Sequence, residues 1–125
     1  MNATLLVMAG GAVGAAARYN LGRLVFHLGG VGLPFGTLIA NLTGGLLMGV
    51  LAGVLARSDF VDEPWRLLLG VGLLGGFTTF SAFSLEVLNM IERGNWGIAL
   101  GYALLSVGGS VLALFAGLMV VRAIA

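Results

Sequence analysis

The chain has 125 residues, of which 59% are hydrophobic and only 9% charged, with a formal net charge of +1 and a mean hydropathy of +1.09. A water-soluble domain carries roughly 25% charged residues, so this composition excludes one and indicates a chain that lives in a bilayer. The small net charge argues against a nucleic-acid partner, and the absence of cysteine excludes disulfides and thiolate metal sites.

Four apolar segments, at about residues 3–28, 34–56, 66–91 and 95–122, use most of the chain and leave no room for a soluble domain. Each meets the roughly 20 residues that one crossing requires. The first has no Lys or Arg ahead of it, which indicates a retained helix rather than a cleaved signal. It is uncharged from Ala3 to Ala17 and then carries Arg18 and Arg23, followed by His27 and the turn-rich stretch from Gly29 to Pro34. Arg18 reads equally as a snorkelling anchor or as a group that attracts anions into a wet vestibule. Gly11 to Gly14 has glycines in the manner of a dinucleotide loop, but no strand precedes it and its surroundings are membrane-apolar.

The second segment opens at Pro34, where a helix tolerates proline. Gly45, Gly49 and Gly53 recur at every fourth position and form a ridge that lets another helix approach closely. Thr37 and Asn41 are also four apart. A carboxamide in hydrocarbon needs a partner, so Asn41 reads either as glue between helices or as part of a polar pathway. The connection from Arg57 to Arg66 holds three of the five acidic residues and suits a water-exposed loop, with Trp65 at the interface.

The third segment contains Gly75-Gly76-Phe77-Thr78-Thr79-Phe80-Ser81-Ala82-Phe83-Ser84-Leu85-Glu86. Paired glycines open non-helical conformations, and the Thr-Thr pair competes for backbone hydrogen bonds. These residues predict a helix broken at mid-membrane, which is tolerated only inside protein or along a polar cavity. Beyond the break Phe80 and Phe83 share a face and Ser81 and Ser84 form a neighbouring polar row. Glu86 falls on the phenylalanine face, nearer the boundary, where its carboxylate reads as solvated or paired rather than as a proton carrier. After the tight polar turn from Glu92 to Asn95, the fourth segment shows Tyr102, Ser106, Gly109 and Ser110 on one stripe, and Gly97 and Gly101 as a further close-packing pair.

With four crossings, Arg57, Arg66 and Arg122 fall on one side of the membrane and Arg18, Arg23 and Arg93 on the other. Orientation follows such a difference, and here there is none. The chain is therefore expected to insert both ways up and to pair as an antiparallel homodimer about an axis in the membrane plane.

Gly10-Gly11-Ala12-Val13-Gly14-Ala15-Ala16-Ala17-Arg18-Tyr19, Pro34-Phe35-Gly36-Thr37-Leu38-Ile39-Ala40-Asn41 and the run from Gly75 to Glu86 together resemble the Fluc (CrcB) family of fluoride channels, over essentially the whole chain and in order. The resemblance implies an all-α integral membrane fold working as a dual-topology homodimer with two pores, for passive export of fluoride across the inner (plasma) membrane. It implies a pore lined by Asn41, Phe80 and Phe83, with Ser110, Tyr102 and Ser106 from the fourth helix. It also implies a vestibule at Arg18, and a structural sodium ion held by the backbone carbonyls of Gly75 and Thr78 from each copy.

The residue chemistry suits such a pore. A small, strongly hydrated anion must exchange water for protein donors, which Asn41 and the hydroxyls of Thr37, Thr79, Ser81, Ser84 and Ser110 supply. Aromatic rings carry a positive edge, so Phe80 and Phe83 can present that edge to an anion, although the same spacing serves ordinary helix packing. Carbonyl oxygens released at a break are hard ligands suited to a small hard cation. The rival expectation is a small multidrug-resistance-type proton-coupled exporter, but such proteins resemble exchangers with a glutamate inside the first helix, and Ala3 to Ala17 has no acid. A scaffold subunit would leave the polar stripes unexplained, and no nucleophile, base and orienter can be assembled for an enzyme.

Overall fold

The structure, a computed structural model, describes residues 2–29, 35–57 and 63–124. The start of the second segment at Pro34 and most of the loop between Arg57 and Arg66 lie outside these residues. Every regular element among the described residues is helical. Helix α1 spans Ala3–Gly29 and α2 spans Phe35–Arg57. Helix α3 covers residues 63–77, with a wide π-helical stretch at Arg66–Leu74 between two short α-helical turns, Glu63–Trp65 and Gly75–Phe77. Helix α4 spans Ser81–Glu92 and α5 spans Trp96–Ile124.

Among the described residues, three stretches are long and apolar enough to cross a membrane: Phe35–Ala56, Arg66–Glu92 and Trp96–Ile124. Helix α1 has 27 residues, a length of about 40 Å at the usual rise, but Arg18, Tyr19, Asn20 and Arg23 dilute its apolar character. The outer surface is rich in exposed side chains such as Leu100, Leu104, Val111, Leu112 and Phe115. Water would penalise that surface heavily, whereas lipid solvates it. The chain is a membrane protein.

Glycine sets how the helices meet. Helix α1 lies against α3 along Gly10 and Gly14 on one side and Gly72 and Gly76 on the other. A Cβ at Gly76 would fall 2.7 Å from the Gly11 carbonyl oxygen, and one at Gly72 would fall 3.0 Å from the Gly10 Cα. The ridge of Gly45, Gly49 and Gly53 on α2 meets α5 at Ser110, Leu114 and Val121, with Gly117 of α5 pressed in turn on the α2 backbone. Such contacts bring backbones together where side chains would hold them apart. The expectation that Gly97 and Gly101 form a close-packing pair is not met within the protomer, since a Cβ at either meets no atom within 4 Å among the described residues.

A small apolar core sits where α2, α4 and α5 converge. It holds Leu38, Phe83, Met90, Ala99 and Tyr102, flanked by Leu42, Val87, Ile91 and Ala103. Helix α4 ends on Gly94, whose φ of +84° is the left-handed conformation glycine adopts without a Cβ penalty. The Gly94 amide donates to the Ile91 carbonyl and the Asn95 amide to that of Met90, each at 2.9 Å, closing the helix in a Schellman motif. This turn returns the chain so that α5 packs back along α4.

Candidate functional site

The helical path is interrupted between α3 and α4. Thr78 is extended, with φ −84° and ψ 155°. Its amide and its hydroxyl both donate to the Leu74 carbonyl at 3.0 Å, which closes the end of α3. Thr79 then meets Asn41 of α2 in a two-point pair: the Thr79 amide donates to Asn41 Oδ1 at 2.9 Å, and Asn41 Nδ2 donates to the Thr79 carbonyl at 3.1 Å. A carboxamide has the donor and acceptor spacing of a peptide group, so Asn41 satisfies the extended backbone as a neighbouring strand would. Thr79 Oγ1 accepts the Ala82 amide at 3.2 Å, serving one of the open donors at the start of α4.

Around this interruption lies a cavity of about 440 Å³, lined among others by Asn41, Thr79, Phe80, Phe83, Ser106 and Ser110. The Phe80 and Phe83 rings are 5.6 Å apart between centroids and tilted by 47°, and Phe83 continues to Tyr102 at 5.4 Å. The two phenylalanines differ sharply in setting. Phe80 is 74% exposed on the protomer, and Phe83 only 8%. Ser106 is 4% exposed, with its Oγ buried one turn along α5 from Tyr102. Ser110 is half-buried beside it, one turn along α5.

Three of the hydroxyls expected to line a pore, those of Thr37, Tyr102 and Ser84, already donate within the chain. Thr37 donates to Glu86 Oε1 at 2.5 Å and Tyr102 to Glu86 Oε2 at 3.1 Å, so one carboxylate ties α2, α4 and α5 together. Glu86 is therefore paired, one of the two settings its sequence position allowed. Its function as the common acceptor escaped sequence reasoning, because Thr37 and Tyr102 lie 49 and 16 residues away. Ser84 Oγ donates back to the Phe80 carbonyl at 2.9 Å, while Ser81 is exposed with its Oγ 3.4 Å from that of Thr79.

A second cavity of about 430 Å³ opens between α1 and α2, lined by Arg18, Tyr19, Gly22, Arg23, Phe26, Gly36 and Thr37. Its polar lining is the two guanidinium groups with the hydroxyl-bearing Tyr19 and Thr37. Arg23 sits 6.0 Å from the Tyr19 ring centroid, near the outer limit of a cation–π contact. The Nε of Arg18 is buried without a hydrogen-bond partner among the described residues. Thr37 borders this cavity while bonding Glu86, whose other oxygen holds Tyr102 against Phe83, so a chain of polar groups leads from the basic cavity toward the aromatic one.

The interruption also governs where a cation could sit. In an unbroken helix the Thr79 amide would serve the Gly75 carbonyl and the Ala82 amide the Thr78 carbonyl. Here Asn41 takes the first and the Thr79 hydroxyl takes the second. Both carbonyls thus lose their helical donors at the negative end of α3, where a positive charge is favoured. Gly75 is exposed on the protomer and Thr78 half-buried. The donor set therefore fits a hard cation.

Residues 5–118 match the family described as CrcB-like protein, Camphor Resistance (CrcB). The chain belongs to this family. It is 60% identical over 123 residues to the fluoride-specific ion channel FluC of Phenylobacterium zucineum (strain HLK1), covering 98% of this chain and 97% of the relative. It is 55% identical over 125 residues to the protein of the same name from Caulobacter sp. (strain K31), covering 99% and 98%. Against that from Caulobacter vibrioides (strain NA1000 / CB15N) the identity is 53% over 123 residues, covering 98% and 97%. The resemblance drawn from the three motifs thus extends along the whole sequence.

Proposed function

We propose that this chain is a fluoride-selective ion channel, a transport protein and not an enzyme, that lets cytoplasmic fluoride leave passively across the inner membrane. The observation that carries the reading is 60% identity, end to end, to a protein named for that activity. The geometry supports it with a cavity lined by hydroxyls and a carboxamide able to donate hydrogen bonds, beside two phenylalanine rings. Fluoride crosses membranes inward as neutral hydrofluoric acid and ionises at the higher cytoplasmic pH, so a selective leak lets the membrane potential expel it. No energy-coupling device is required.

In this reading α1 is a fourth crossing, and the segment formed by α3 and α4 is interrupted near mid-membrane. Two oppositely oriented copies form a homodimer with two pores. Arg18 and Arg23 draw the anion into the basic cavity by their charge. From there the ion exchanges water for protein donors. Asn41 Nδ2 spends one hydrogen on Thr79 and keeps a second, and Ser106 and Ser110 line the same cavity. Phe80 and Phe83 supply ring edges, whose positive potential favours a small halide. The amino end of α4 adds the positive end of its dipole. Thr37 and Tyr102 contribute by exchanging their bonds to Glu86 for bonds to the ion. A structural sodium ion held by the Gly75 and Thr78 carbonyls of both copies would neutralise converging carbonyl dipoles at the centre of the dimer.

Anion efflux from liposomes containing the purified protein tests the function. Fluoride is expected to leave rapidly at neutral pH while chloride stays. Retained fluoride would overturn the assignment.

A further inference from the structure

We infer that Asn41 is a positioning residue for the cation site, holding the Gly75 carbonyl available by diverting the Thr79 amide from it. The inference rests on the reading that a structural cation binds at Gly75 and Thr78, and it assigns Asn41 a duty separate from donating to a permeating anion.

The argument begins with hydrogen-bond accounting. Wherever a helix runs on, each amide closes onto the carbonyl four residues back, and a carbonyl so occupied is a poorer cation ligand. Helix α3 reaches Thr78 in that pattern, with the Thr78 amide on the Leu74 carbonyl. One residue later the pattern lapses, and the Thr79 amide goes to Asn41 Oδ1 while the Thr79 carbonyl accepts from Asn41 Nδ2. The extended Thr78, with ψ 155°, turns the Thr79 amide away from Gly75, and the Asn41 pair holds it there. With Asn41 removed, a helical Thr78 returns that amide to the Gly75 carbonyl. Asn41 offers a better exchange, because it satisfies the donor and the acceptor of one peptide residue together. The two-point contact therefore biases the chain toward the conformation in which Gly75 is left open.

Asn41 reaches this position because α2 is held close. Gly44, three residues on, lies against the Thr78 side chain, and Gly45 against the Ser110 backbone. The half-turn of α2 that carries Asn41 is thus fixed against both the interruption and α5. Asn41 also borders the 440 Å³ cavity. One side chain then touches the cavity and, through Thr79, governs the carbonyl ligand.

The test reads cation affinity apart from ion flux. Purified wild-type protein, Asn41→Ala and Phe83→Ile are titrated with sodium chloride against N-methylglucamine chloride at constant ionic strength, following melting temperature and dimer content. Wild type and Phe83→Ile are expected to share one half-saturating sodium concentration. Asn41→Ala is expected to need on the order of tenfold more, the scale of a lost buried hydrogen bond. An Asn41→Ala curve that overlays wild type overturns the inference while leaving the sodium site intact. A wild type indifferent to sodium overturns both. Should Asn41→Ala fail to fold, amide hydrogen exchange of the wild type decides: the Thr79 amide is expected to be protected in sodium, and free exchange at that residue overturns the inference.

Discussion

The two halves of the third apolar segment share one span of sequence but are built on opposite plans. Residues 63–77 contain Gly70, Gly72, Gly75 and Gly76, wind widely enough that the Gly75 amide reaches the Gly70 carbonyl five residues back, and press backbone to backbone on α1. Residues Ser81–Glu92 contain no glycine, form a regular α-helix, and send Phe83, Glu86 and Met90 among side chains of α2 and α5. The contrast shows that Gly72 and Gly76 of the first half serve proximity. Where side chains are absent, the helix adjusts its winding to a neighbouring backbone, since π-turns cost little when contacts outside the helix compensate. Where side chains are present, the helix stays regular and the chemistry is carried by what projects from it.

Four substitutions break or sharpen this contrast, in descending order of effect on stability. Gly76→Leu places a side chain where the Gly11 carbonyl already stands, and should cost about 3 kcal/mol, seen as loss of folded protein after extraction. Near-normal yield would show that the first half does not depend on backbone contact. Glu86→Ala leaves the Thr37 and Tyr102 hydroxyls without their acceptor, and should cost about 2 kcal/mol by denaturant titration in detergent. An unchanged midpoint would mean that the carboxylate does not fasten the second half. Gly94→Ala forces a Cβ into the left-handed turn after α4, with an expected loss of about 1 kcal/mol. Phe80→Ile alters an exposed ring that no core contact requires. It should move stability by less than about 0.5 kcal/mol, yet stop fluoride efflux from liposomes. Undiminished efflux would remove that ring from the pathway.

The position of Asn41 shows the same division between backbone and side-chain roles. Its sequence setting left open whether it glued helices or lined a pathway. The structure gives it two bonds to the backbone of Thr79, which is the first of these readings, and a place on the cavity wall. Tyr102, Ser106 and Ser110 face inward together because helical spacing alone puts them on one side of α5. Gly97 and Gly101 share an equally regular spacing and meet nothing among the described residues, because spacing selects a face without naming what lies opposite.

Composition and short-range pattern were therefore sufficient for the membrane setting, the inward stripe on α5 and the point near Thr78 where helical geometry lapses. Each depends on hydrophobicity or on residues within a few positions of one another. Which glycines would meet a backbone, how widely α3 would wind, and that Glu86 would gather two hydroxyls all depend on partners distant in the chain. Only the assembled helices bring these partners within reach, since hydrogen bonds and van der Waals contacts act over a few ångströms of space and take no account of separation along the sequence.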